Sequence, residues 1–85
     1  MKILDCSLIR NRGDLFLLFH AILPGAFGNN LDALHDHLTS LPCQTELTLL
    51  NWDHAEEALG HYANGLKRML TDSQAENPLL MIHYK

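Results

Sequence analysis

Two aspartates four residues apart, Asp32 and Asp36, are the side chains of this sequence best placed to do chemistry. They lie in the run Gly28-Asn29-Asn30-Leu31-Asp32-Ala33-Leu34-His35-Asp36-His37-Leu38-Thr39. On an α-helix each residue turns about 100°. Leu31, Leu34, Leu38 and Leu41 then form one narrow apolar stripe. Asp36 points almost diametrically away from that stripe, Asp32 lies one turn earlier on the same side, and His35 falls at the boundary between the faces. Such a pair repels by a few tenths of a kcal/mol on an isolated helix. Asp32 recovers part of that from the helix dipole, and Asp36 is too far along to benefit much. Ala33, Thr39 and Ser40 are small and leave the acids open to a cationic partner. From the residues alone, a solvated polar face without further role is the competing explanation, because exposed charge is common.

Other reactive residue types form weaker patterns. Of the six histidines, His35 and His37 are two apart and would diverge by about 200° on a helix, whereas helical metal pairs need a spacing of four. His54 and His61, seven apart, could share a helix face but have no third ligand tied to them, so no metal or other cofactor is expected. Neither Cys6 nor Cys43 belongs to a Cys-x-x-Cys pair; Cys6 reads as core and Cys43 as a loop thiol. No phosphate-cradling glycine loop or Gly-x-Ser-x-Gly elbow occurs. Asp53, Glu56 and Glu57 read as helix-start electrostatics rather than catalytic carboxylates, and Trp52 as a cap on the core or sheet edge. Lys67-Arg68 is too small a basic spot for nucleic acid.

The chain has 85 residues, 47% of them apolar and 19% charged, which is the composition of one globular domain over residues 1–85. Its net charge of −4 excludes a basic nucleic-acid footprint and favours a cationic partner. The longest apolar stretch, Leu15–Leu23, is interrupted by His20 and falls well short of the roughly twenty residues a membrane span needs. The start, Met1-Lys2-Ile3-Leu4-Asp5, lacks the apolar centre of a signal peptide. A cytoplasmic monomer that binds neither membrane nor nucleic acid is therefore expected, with both thiols reduced.

These residues must be positioned by a small α/β framework. Ile3–Cys6 reads as a strand, and Asp14 as the start of a helix carrying Leu15, Leu18, Phe19 and Ile22 inward. Pro24-Gly25 ends that helix, and Asn30 caps the acidic one, which Pro42 stops. Glu46–Asn51 reads as a buried strand. Asp53 with Glu56 three residues on resembles a capping box for a third helix reaching about Ala63, closed by Asn64-Gly65. A fourth helix turns Leu66, Met69, Leu70 and Ser73 inward, Asn77-Pro78 breaks it, and Leu79–Tyr84 is the last strand. Strands separated by helices predict parallel pairing, here three strands and four helices.

The motif Gly28-x-Asn30-Leu31-Asp32-Ala33-Leu34-x-Asp36-x-Leu38-Thr39 resembles the signature of the barstar family, bacterial intracellular inhibitors of barnase-like secreted ribonucleases. Asp14-Leu15, Pro24, Leu49 through Trp52, Asn64-Gly65 and Ala75-Glu76 also look like family positions, so the resemblance spans essentially the whole chain. It implies a three-stranded parallel sheet with surrounding helices, and an inhibitor rather than an enzyme. By this resemblance Asp36 occupies the enzyme's phosphate site, Asp32 meets basic residues of the same cleft, and Gly28, Leu31 and Ala33 permit close approach. Asn30, Phe27, His35, Thr39 and Leu41 complete the expected contact surface, with Asp72 as a further acid on the last helix. The family's aromatic contacts are replaced: Ala26 and Phe27 stand where tyrosines are usual, His35 and Leu41 where tryptophans are. That leaves two alternatives open, a family scaffold that binds a partner other than a nuclease, and a small hydrolase built on Asp and His.

Overall fold

The computed structural model describes residues 2–85. In chain order the elements are β1 (Lys2–Asp5), a single 3-10 turn (Cys6–Leu8), α1 (Arg12–Ile22), α2 (Leu31–Thr39), β2 (Thr45–Leu50), α3 (Trp52–Leu59), α4 (His61–Glu76) and β3 (Leu80–Tyr84). The strands form one sheet in the order β1-β2-β3, and both pairings are parallel. Leu4 pairs with Leu49, and Leu49 with Tyr84. This is the expected α/β architecture of three parallel strands and four helices. It follows from alternation: a parallel neighbour is reached only by a crossover, and each crossover here contains two helices.

The core forms where β2, the central strand, sets Leu47 and Leu49 beneath the helices. They join Leu4, Leu80, Phe19, Leu34, Leu38, Leu66 and Leu70 in one buried cluster. The edge strand β3 is protected: the Gln74 side chain of α4 accepts the Ile82 backbone N–H at 2.6 Å.

Several expected boundaries move, each for a local reason. The first helix begins at Arg12, not Asp14, because Asn11 is its cap and accepts the Asp14 N–H at 3.0 Å. The Asp14 carboxylate instead takes the Arg10 guanidinium at 3.0 Å. Cys6 is in the 3-10 turn rather than the strand. It is buried, and burial pushes its thiol up to about 11, where it is inert at neutral pH. Cys43 is an exposed thiol.

The third helix starts one residue before the expected capping box, so Asp53 lies in its first turn rather than at the cap. Asn51 holds the cap position in the left-handed conformation (φ 58°, ψ 47°). Its side-chain amide donates to Asp5 Oδ1 at 3.0 Å, tying the end of β2 to the end of β1. The Ser7 hydroxyl, then Asn51, then the Ser7 N–H hold the Asp5 carboxyl below its ordinary value. A carboxyl lowered on folding contributes stability above its unfolded pKa and loses that contribution as pH falls through the folded one, so this tie weakens only in strong acid.

The largest shift concerns helix three. It ends at Leu59, and the chain turns at Gly60 (φ 60°), where a side chain would be strained. Asn64-Gly65 is not a terminator but lies inside α4. Gly60, five residues earlier, supplies the positive φ that Gly65 was expected to supply. Gly65 therefore has no backbone requirement of its own, and a Cβ there would meet Leu31 Cδ1 at 3.5 Å, an ordinary contact. Gly65→Ala should raise unfolding free energy by about 0.5–1 kcal/mol, read as a higher denaturation midpoint at unchanged slope. A destabilised variant would show that the α2–α4 approach is tighter than this.

Candidate binding face on α2

The acidic helix is fixed at both ends by side chains. At its start Asn30 Oδ1 accepts the Ala33 N–H at 2.8 Å, the expected cap. The preceding loop is held by a stack: Phe27 lies between His20, 4.1 Å between ring centroids, and His37, at 4.6 Å. The two imidazoles also close hydrogen bonds, His20 Nε2 to Asn29 Oδ1 at 2.7 Å and His37 Nε2 to the Pro24 carbonyl at 2.6 Å. Both partner atoms are acceptors, so each Nε2 carries the proton. Gly25 (φ 84°) lets the loop pass beneath His37; a Cβ there would stand 2.9 Å from its Cε1.

At the far end of α2, buried Asn77 donates its side-chain amide to the carbonyls of Leu38 at 2.9 Å and Leu41 at 3.3 Å. Its Oδ1 accepts the Leu79 N–H at 3.0 Å. One side chain thus satisfies the end of α2 and the turn into β3 together.

Between these anchors Leu34 and Leu38 are fully buried, and the helical period turns the acids outward. The Asp36 side chain is 88% exposed, and the imidazole Nδ1 of His35 stands 3.8 Å from its Oδ1. Asp32 is exposed and makes no ion pair or hydrogen bond among the described residues. The remaining candidates divide. Gly28 and Asn30 are exposed beside the acids, and Leu31 and Ala33 are half-buried. Ala26, Phe27, Gly28, Ala33, Asp36 and His37 line a shallow depression of about 350 Å³. Asp72 is exposed on α4 and shares a second depression, of about 340 Å³, with Asp32, His35 and Arg68.

Three candidates are engaged within the molecule. Thr39 donates its hydroxyl to the His35 and Asp36 carbonyls, at 2.9 and 3.2 Å. His35 is half-buried and its Nε2 hydrogen-bonds the Glu76 carboxylate of α4. Leu41 corrects an expectation: it lies beyond α2, is 8% exposed and belongs to the core. Once Ser40 closes the helix onto the His37 and Leu38 carbonyls, Leu41 is no longer on the helix face and packs into the core.

Glu76, Arg68, His20 and His37 are neighbours of this face that the sequence alone did not assign to it. Glu76 is 41 residues from His35, and no local spacing signals that contact. His54 and His61 lie on different helices, α3 and α4, rather than on one face. Among the described residues no three His, Cys, Asp or Glu side chains come together to hold a metal. No helix is long and apolar enough to cross a membrane. Trp52 opens α3 buried against Tyr84, edge to face at 5.2 Å; its indole N–H has no acceptor among the described residues, which nothing in the structure explains.

The fold and this face define an α/β protein whose distinctive surface is a rigidly held acidic helix. A family model described as Barstar (barnase inhibitor) matches residues 1–83, and the chain belongs to the barstar family, a family of inhibitors rather than enzymes. No curated protein matches the chain at a level that supports an argument.

Because Asn77 bonds three backbone groups, two of them in buried hydrogen bonds, Asn77→Ala should cost about 2 kcal/mol in unfolding free energy, measured by chemical denaturation. A loss below about 0.5 kcal/mol would show that water replaces it and that α2 is anchored by packing alone.

Proposed function

We propose that the chain is a protein inhibitor of a barnase-like ribonuclease and that it blocks the active-site cleft with α2 and the loop before it. The observation that carries this is the pairing of two exposed carboxylates, Asp32 and Asp36, on an anchored helix in a chain of an inhibitor family. A ribonuclease must present cations to a phosphodiester, so a carboxylate in that position uses affinity shaped for substrate. Asp36 takes the phosphate position, Asp32 meets cations beside it, and Gly28, Leu31 and Ala33 allow close approach. Asn30 and the pinned Phe27 hold the loop in its docking shape, and Asp72 extends the negative field along α4. The acidic face steers encounter with a basic cleft and makes association salt-sensitive. Such an inhibitor acts in the cytoplasm, as a monomer until it binds.

A second reading, a partner other than a nuclease, is favoured by one feature. The positions where aromatic contacts are usual hold Ala26, a buried Leu41 and a His35 turned to Glu76. Interface energy concentrates in large aromatic anchors, so the partner is held here mainly by charge.

Asp36→Ala should weaken inhibition of a basic microbial ribonuclease by more than ~2 kcal/mol, roughly 30-fold, the general threshold of an interface hot spot, for which barnase–barstar is itself a standard case. Asp53→Ala, on α3, should change it less than threefold. Equal losses in both variants would remove the proposed role of α2.

A further inference from the structure

Beside Asp32, on the flank away from Phe27, the surface opens into a cleft of about 450 Å³ between the start of α1, the loop before α2 and the start of α4. Arg12, Phe16, Asn29, Asn30, Asp32 and Tyr62 border it. Asn30, Leu31 and Asp32 at its edge belong to the docking face proposed above, whereas Arg12, Phe16, Asn29 and Tyr62 have no role in it.

Its free chemistry follows from hydrogen bonds already made. Arg12 stacks on the Tyr62 ring, with its guanidinium carbon 4.0 Å from the centroid. Stacking occupies a face of the guanidinium and leaves its edge N–H donors open. Among the described residues Arg12 forms no ion pair, in contrast to Arg10, which Asp14 holds. The amide oxygens of Asn29 and Asn30 are each engaged, by His20 and by the Ala33 N–H, while neither NH2 donates a hydrogen bond among the described residues. A cation and two amide donors therefore border one cleft on an otherwise acidic face. Phe16 and Tyr62 give it aromatic walls, and the Asp32 carboxylate stands at its rim.

We propose that this cleft receives a carboxylate, the side chain of an Asp or Glu on the bound protein partner, with Arg12 as its principal ligand. A planar carboxylate matches the open edge of a stacked guanidinium, which can donate to both oxygens at once. A phosphate carries more charge and more oxygens, and Asp32 at the rim repels it more strongly. The inference rests on the reading that the partner docks on α2, because a partner covering Asp32 covers this cleft as well. Covering it strips water from Arg12, and an interface that leaves a buried cation unpaired loses affinity. The cleft thereby selects, among proteins with a basic surface for Asp36 and Asp32, those carrying an acid beside it.

The test has two arms. In the first, sodium acetate is titrated into the 15N-labelled full chain at constant ionic strength, with sodium chloride as control and methyl phosphate as competitor. Acetate should produce saturable shifts at the Arg12 Nε–H and the Asn29 and Asn30 side-chain amides. Arg12→Gln should abolish them, with the remaining spectrum showing that the variant is folded. Shifts equal to those in chloride, or stronger and saturable shifts with methyl phosphate, overturn the assignment. In the second arm, Arg12→Gln should weaken inhibition of a basic ribonuclease at least tenfold, mainly through faster dissociation. Arg12→Lys should restore it only in part, since an ammonium cannot engage both oxygens from a fixed plane. Unchanged inhibition by Arg12→Gln overturns the proposal. If the wild-type chain inhibits no ribonuclease, the α2 reading fails, and acetate binding alone then decides whether the cleft is a carboxylate site.

Discussion

One helix has to be core on one side and exposed acidic surface on the other, and the rest of the molecule serves that division. α2 is nine residues long, too short to persist alone in water. It exists because Leu34 and Leu38 are fully buried, because Asn30 caps its start, and because Asn77 holds its last carbonyls. The same period that sends the leucines inward sends Asp32 and Asp36 outward. No separate device is needed to expose the acids. The two carboxylates cannot be relocated without moving the core contacts that position them.

The surroundings of the acids are electrostatically graded. Asp32 has no internal partner among the described residues, Asp36 has only the edge of His35 at 3.8 Å, and His35 itself is held by Glu76. The imidazole therefore bridges α2 and α4 where the family resemblance expects a large aromatic contact. Its side chain supports the scaffold more than it extends the surface, and Leu41 does the same from the core. On the proposed function, a partner docked on this face is held by charge and close approach more than by aromatic burial. The proposed acid opposite Arg12 would then carry a larger part of specificity.

The general architecture was legible in the sequence because it is written in periodicity: alternating apolar runs and amphipathic stretches fix three parallel strands and four helices. The exposure of Asp32 and Asp36 was legible for the same reason. What was not legible came from competition between local signals. Asn64-Gly65 is a plausible helix end, yet Gly60 takes the positive-φ turn and α4 runs through it. Asp14 is a plausible cap, yet Asn11 caps and Asp14 pairs with Arg10. Leu41 fits the leucine stripe by spacing, but the helix closes at Ser40 and Leu41 joins the buried core. The His35–Glu76 contact and the Arg12 cleft join segments far apart in the chain, so only the folded arrangement reveals them.

The most direct test of the central claim is inhibition of purified barnase by the wild-type chain and by the Asp32→Asn/Asp36→Asn double variant over a series of salt concentrations. The wild type should inhibit at one-to-one stoichiometry, with an association rate that falls as salt rises. The double variant, equally stable, should lose both the inhibition and its salt dependence. A double variant that still inhibits, or a wild type that does not, would contradict the account.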